Sequence, residues 1–167
     1  NFGPGLLEEG SKLVAPIKSV TPFNDHAAKS VQNHTTYGAP THGFIEQVYC
    51  IRPWADRLGN TIVMLHNAAG DRGVSMSYSL NELPFLTQWK NSADRKSGYV
   101  TGIEPGTGFP YNRRVERHYG RVPTLKPGQS RQFKMAFRIL DSTEKVTTSR
   151  ATILSIANGR PTKTVKT

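Results

Sequence analysis

One carboxylate in this chain stands where proton-transfer chemistry would need it. Glu104 lies in Gly98-Tyr-Val-Thr-Gly-Ile-Glu104-Pro-Gly-Thr-Gly-Phe109-Pro, between an apolar run of strand type and a Gly/Pro-rich turn. Pro fixes φ and Gly frees it, so the turn has a defined shape, and loops carried by a rigid scaffold are where functional side chains concentrate. A carboxylate opening into such a loop can act as a general base toward a bound hydroxyl, if its surroundings tune it toward working pH. It also reads as a solvated residue that starts a turn, and the local sequence leaves both readings open.

Other candidates are substrate contacts rather than catalysts. Glu46 sits among Phe44, Ile45, Val48 and Tyr49, so it either faces solvent or lines a polar cleft. Trp89 and Lys90 close an apolar run just before a polar loop. An indole face can stack on the apolar face of a sugar ring, and an ammonium can hold a hydroxyl or an anionic group; Trp89 reads equally as core. Asn67, with Asn1, offers amide groups to hydroxyls. Arg113, followed by Arg114, could anchor a sulfonated, phosphorylated or carboxylated substrate through its fork of donors, or could simply be solvated.

Nucleophile and metal chemistry find no support in the spacing. There is no Gly-x-Ser-x-Gly elbow, no His-x-x-x-His pair and no Asp-rich calcium loop. The one cysteine, Cys50, excludes an internal disulfide and a cysteine zinc cluster, and its apolar neighbours read as a buried structural thiol.

The elements that must position these groups are short and extended. Residues 12–20 read as an edge strand interrupted by Pro16. Residues 21–41 read as a long polar surface loop. Strands are expected over 44–51, 61–65, 74–78, 83–89, 98–103 and 131–139, several with clean alternation at period two. Residues 55–60 carry a Gly-Asn hairpin signal, 67–73 a second turn, and Lys126-Pro-Gly128 a type II turn. Asp141-Ser-Thr-Glu144 has capping-box spacing ahead of one helix that Asn158-Gly159 stops. The expectation is a mainly β, antiparallel sandwich over residues 1–158 with one C-terminal helix, followed by a flexible basic tail over 159–167.

A chain of 167 residues is ample for one domain with its own core. Twenty-two Lys and Arg against 12 Asp and Glu give a net charge of +10. The basic residues are spread out and lack interleaved aromatics, which argues against nucleic acid as partner and leaves a solvated basic surface or an anionic small molecule. No apolar run reaches membrane-spanning length.

The Val100-Thr-Gly-Ile-Glu-Pro-Gly-Thr-Gly-Phe109 segment resembles the one that carries the catalytic glutamate in the aldose 1-epimerase (galactose mutarotase-like) superfamily, and the chain is closest to its DUF4432 branch. Other segments match in the same order: Asn1-Phe-Gly-Pro-Gly-Leu-Leu-Glu-Glu-Gly10, Gly43-Phe-Ile-Glu-Gln-Val-Tyr49, Gly59-Asn-Thr through Leu65-His-Asn-Ala-Ala-Gly70, Leu83-Pro-Phe-Leu-Thr-Gln-Trp-Lys-Asn91 and Gly120-Arg-Val through Leu125-Lys-Pro-Gly128. The resemblance implies part of a β-supersandwich, specifically the C-terminal portion of a longer family domain. It implies cofactor-free interconversion of sugar anomers with Glu104 as base, and an acid histidine upstream of Asn1. It also turns the segment bearing Glu46 toward the sugar cleft. The implied partner is a small sugar, neutral or anionic, with no nucleic acid or membrane and with an oligomer allowed. A carbohydrate-binding protein without catalysis, and a lyase or hydrolase on the same scaffold, are the alternatives.

Overall fold

Pro16 splits the first apolar run and sends the chain from one sheet to another. In this computed structural model, which describes residues 5–166 and so leaves Asn1 outside, β1 (Lys12–Val14) and β2 (Ile17–Pro22) belong to different sheets. A proline cannot donate to a ladder, so a break here costs no hydrogen bond.

The remaining strands are β3 (Gln47–Pro53), β4 (Asn60–His66), β5 (Gly73–Ser79), β6 (Phe85–Asn91), β7 (Val100–Gly106), β8 (Met135–Leu140) and β9 (Lys163–Thr164). One sheet has the order β1-β4-β5-β8 and the other β7-β6-β3-β2-β9. All pairings are antiparallel except β2 with β9, which is parallel.

The two sheets face each other over Leu13, Val63, Leu65, Val74, Met76 and Tyr78 from one side, and Val20, Tyr49, Ile51 and Leu86 from the other. Period-two alternation places these on the inner faces. The opposite face of the four-stranded sheet presents Met64 and Leu140 to Val146 and Ile153 of the long helix, α3 (Thr143–Ala157). Ser142 caps that helix by accepting from the Lys145 amide at 3.3 Å, and Asn158 ends it in the left-handed region at φ 50°. The cap is thus Ser142, one residue past the start of the expected box. The type II turn forms as read, with the Gln129 amide donating to Lys126 O at 3.0 Å.

Several boundaries differ from expectation. Residues 44–46 precede β3 rather than belonging to it. The 55–60 turn is not a hairpin: it carries the chain from β3 in one sheet to β4 in the other. Asp56 organises it by accepting from the Leu58 and Asn60 amides at 2.9 and 2.8 Å. The 21–41 segment is not simply a surface loop. It holds a short helix, α1 (Asp25–Ala28), and a 3-10 turn, and it buries Ala27, His34 and Tyr37 against the inter-sheet core. A second short helix, α2 (Arg113–His118), follows the Glu104 strand. The basic tail, expected to run free, adds β9 to β2, and Thr162 Oγ1 donates to Ile17 O at 3.0 Å.

Candidate functional site

Glu104 lies inside a strand, not at its end. β7 runs on through Glu104, Pro105 and Gly106, and Glu104 stands opposite Thr87 of β6. Pro105 is tolerated because β7 is the sheet edge, where a missing N–H costs no ladder bond. Glu104 is exposed and, paired with Thr87 and alternating with the core-packed Ile103, projects from the outer face of the five-stranded sheet, while its strand also borders the inter-sheet cavity. Gly102, two residues back on the same face, makes the room: a Cβ there would collide with Glu104 Oε1.

The register builds the rest of that face. Trp89 stands opposite Gly102, and Cys50 stands opposite Thr87, which stands opposite Glu104. Trp89 Nε1 donates to Glu46 Oε2 at 2.7 Å, so these two predicted contacts form one unit beside the Gly102–Glu104 segment. One row along on the same face, Arg52 packs its guanidinium over the rings of Phe85 and Phe109, at 4.7 and 5.7 Å.

The chain after β7 folds back over this face and is held by a buried carboxylate. Glu116 is 2% exposed. It accepts from the Phe109 amide at 2.9 Å and from Arg121 Nε and Nη2 at 2.8 and 2.5 Å. Arg121 beside it holds the Glu116 carboxyl below the usual carboxylate range, and Glu116 in turn raises Arg121. Gly108 is required for this approach. Tyr111 stacks on Phe23 at 4.8 Å and meets the Cys50 thiol, which burial pushes up to about 11. Cys50 is therefore buried, as read, but it forms the floor of the outer face rather than part of the inter-sheet core.

The other predicted contacts lie elsewhere. Lys90 alternates to the opposite face from Trp89 and is 5% exposed between the sheets. Its Nζ donates to Thr36 O at 2.7 Å and lies over the Tyr37 ring, and burial pulls its pKa down to about 8. It belongs to an interior polar network in which His34 Nδ1 donates to Gln88 Oε1 at 2.9 Å. Gln88 Nε2 donates to His34 O and to the Tyr37 hydroxyl at 2.9 and 3.0 Å. Asn67 serves its own turn: Oδ1 accepts from the Asp71 and Arg72 amides, both at 3.1 Å, and Nδ2 donates to Asp71 Oδ1 at 2.7 Å. Arg113 opens α2 on the surface. The structure thus brings Glu104, Trp89 and Glu46 together and leaves Lys90, Asn67 and Arg113 apart from them.

Sequence reasoning missed Arg52, Glu116 and Arg121. The available signal was weak: Arg52 is the polar residue that ends an apolar run, and Glu116 and Arg121 have no motif spacing. Among the described residues no histidine hydrogen-bonds Glu104. His26 meets Ile45 O, His42 meets Asp94, His66 meets Asn67 O and His118 sits edge-on to Tyr119. No group of three or more His, Cys, Asp or Glu among the described residues could hold a metal, and no helix among them is long and apolar enough to cross a membrane.

Comparison with known proteins bears on this geometry. Residues 1–139 match DUF4432, a domain of unknown function. Among solved structures, a candidate aldose 1-epimerase from Klebsiella pneumoniae subsp. pneumoniae MGH 78578 superposes with a TM-score of 0.95 at 40% identity. The match covers 99% of this chain and 43% of that one, so this chain spans less than half the length of its neighbour. Comparison with the curated proteins gave no match.

Proposed function

From a chain that belongs to the DUF4432 family and shares its fold with a candidate aldose 1-epimerase, we propose a carbohydrate-active isomerase that interconverts sugar anomers, with Glu104 as general base. The observation that carries this reading is the exposed Glu104 carboxylate over side-chain-free Gly102, on one sheet face with the Trp89–Glu46 pair.

The chemistry asks little beyond acid–base groups. A base takes the proton of the anomeric hydroxyl, its electrons form the carbonyl, and the C1–O5 bond breaks with a proton delivered to the ring oxygen. Rotation about C1–C2 and the reverse steps give the other anomer. Glu104 supplies the base. Trp89 offers a ring face for the apolar side of a pyranose, and Glu46, fixed by the indole N–H, offers an acceptor to hydroxyls. A second group must deliver the proton to the ring oxygen, a role that the family resemblance gives to a histidine.

The test is anomeric exchange by NMR on a panel of aldoses. Exchange that falls by two or more orders of magnitude in Glu104→Gln, with sugar binding retained, supports the reading; general bases contribute about 10²–10⁴-fold. The second reading is a sugar-binding protein without catalysis. It is favoured by the lack of any histidine bonded to Glu104 among the described residues, and it predicts that Glu104→Gln changes affinity alone.

A further inference from the structure

Three successive residues of β6 are tied down from beneath, and the middle one carries the indole of the candidate site. Gln88 Oε1 accepts from His34 Nδ1 at 2.9 Å, and Gln88 Nε2 donates to His34 O and to the Tyr37 hydroxyl at 2.9 and 3.0 Å. Lys90 Nζ donates to Thr36 O at 2.7 Å. Between them, the Trp89 carbonyl accepts from Thr101 Oγ1 at 2.6 Å, and Thr101 Oγ1 meets the Tyr37 hydroxyl at 2.8 Å. A strand sends neighbours to opposite faces, so Gln88 and Lys90 point between the sheets while Trp89 rises on the outer face. The same layer reaches the partner of that indole. Gln47, next to Glu46, donates through Nε2 to Ser30 Oγ at 3.3 Å, and its Oε1 accepts from the Tyr49 hydroxyl at 3.1 Å. The 30–37 segment is thus a polar floor beneath the Trp89–Glu46 pair.

The direction of each bond along this chain of groups is fixed. Thr101 gives its one hydroxyl hydrogen to Trp89 O, so toward Tyr37 it can only accept. Tyr37 therefore donates to Thr101 and accepts from the Gln88 amide. Burial, helped by the Lys90 charge, holds His34 below its ordinary value, and burial raises Tyr37 above its own, so both stay neutral and keep these roles. Gln88 and Tyr37 are 0 and 1% exposed, so bulk water does not reach them to replace a lost bond.

The Thr101 link crosses from β6 to β7. Thr101 precedes Gly102, which stands opposite Trp89, and Glu104 follows two residues later on the same face as Gly102. β7 is the edge of its sheet and is held by a ladder on one side only. A side-chain bond from the interior to Thr101 therefore adds a constraint where the backbone supplies fewest.

We propose that Tyr37, acting through Thr101, is a positioning residue that sets the place of Glu104 relative to the Trp89–Glu46 pair. This inference rests on the sugar reading given above and deepens it, since Tyr37 itself touches no sugar. A ring stacked on Trp89 and bonded to Glu46 must present its anomeric hydroxyl at Glu104, and misplacement by about 1 Å can cost on the order of 10²-fold in rate.

The test is anomeric exchange by NMR on galactose, glucose and galacturonate, resolved into kcat and KM. It compares the wild-type chain with Tyr37→Phe, Thr101→Val, Thr101→Ser and the double variant Tyr37→Phe/Thr101→Val. Melting temperatures come first, and loss of one hydrogen bond should lower them by only about 2–4 °C. The expected result is a kcat roughly ten- to hundredfold lower in Tyr37→Phe and in Thr101→Val, with KM changed by less than about twofold. Thr101→Ser, which retains the hydroxyl, should keep most of kcat. The double variant should be no slower than the slower single one, because both substitutions break the same chain of bonds. The chain has two tryptophans, so the Trp89 indole N–H signal is identified by its loss in Trp89→Phe. That signal should shift in Tyr37→Phe while the Trp54 signal stays. An unchanged kcat in Tyr37→Phe, a loss confined to KM, Thr101→Ser as slow as Thr101→Val, or an unmoved Trp89 signal overturns the inference and leaves the sugar reading standing. Absence of exchange by the wild-type chain on all three sugars overturns both.

Discussion

The Glu116 carboxylate occupies the space that a side chain on Gly108 would need: a Cβ built on Gly108 would stand 2.6 Å from Glu116 Oε2 and 3.0 Å from Arg121 O. The turn after the Glu104 strand is therefore shaped around a buried ion pair. Removing one partner of such a pair leaves an uncompensated charge, which typically costs about 3–5 kcal/mol. Glu116→Gln should lower the melting temperature by many degrees, and Gly108→Ala should destabilise by about 1–3 kcal/mol through overpacking. Denaturant melts check both. The pH dependence has a defined sign: Glu116 is held below its ordinary value, so its contribution is complete above the unfolded carboxylate range and is lost as pH falls through the lowered folded value. The wild-type advantage over Glu116→Gln should accordingly shrink in acid.

Gly102 should separate stability from activity. A Cβ there meets only the far end of the Glu104 side chain, which can swing aside. Gly102→Ala is expected to leave stability within about 0.5 kcal/mol, as surface substitutions do, while displacing the carboxylate. If Glu104 is the base, anomeric exchange falls at least tenfold in a variant that melts like wild type. Unchanged exchange would count against that role.

Lys90 gives a second pH signature, of opposite sense. Its folded pKa lies near 8 against an ordinary 10.5, so between these values the unfolded chain holds a proton that the folded chain has released. Stability owed to this residue therefore rises with pH across that window. Compared with Lys90→Met, wild type should gain stability between pH 8 and 10. Melting both proteins over that range, and reading only their difference, removes the contributions that the two share.

The β8 edge should drive self-association. Phe133, Met135, Phe137 and Ile139 are 44, 46, 54 and 60% exposed, and a cavity of about 360 Å³ opens beside them between the sheets, lined by Val63, Met76 and Ile103 among others. An open apolar patch on an edge strand is a contact surface. Ile139→Lys should reduce association of the 167-residue chain, measured by light scattering against concentration, with little change in melting temperature.

Much of the β architecture was legible because alternation survives in the sequence: Val74, Met76 and Tyr78 of β5 all reach the core. Sheet membership was not, because a Gly-Asn turn reads the same whether it closes a hairpin or passes the chain between sheets, and only the pairing of β3 with β2 and β6 decides it. Adjacency misled for Lys90: Trp89 and Lys90 are neighbours in sequence, but the period of a strand sends them to opposite faces. Glu104 drew attention through its surroundings, but Pro105 and Gly106 suggested a turn where an edge strand continues. Glu116 and Arg121 were illegible because their partnership depends on the loop folding back over the sheet, which no local pattern encodes.

The parallel pairing of Ser19 with Lys163 joins positions 144 residues apart. Lys163 leaves the ribosome 144 residues after Ser19, so β2 waits that long for this partner. Contacts of such long range slow folding. In cells, the nascent chain should carry an unfinished β2 edge until β9 has emerged, and it is in that interval that a holding chaperone, or a lowered growth temperature, would have most effect on the yield of folded protein.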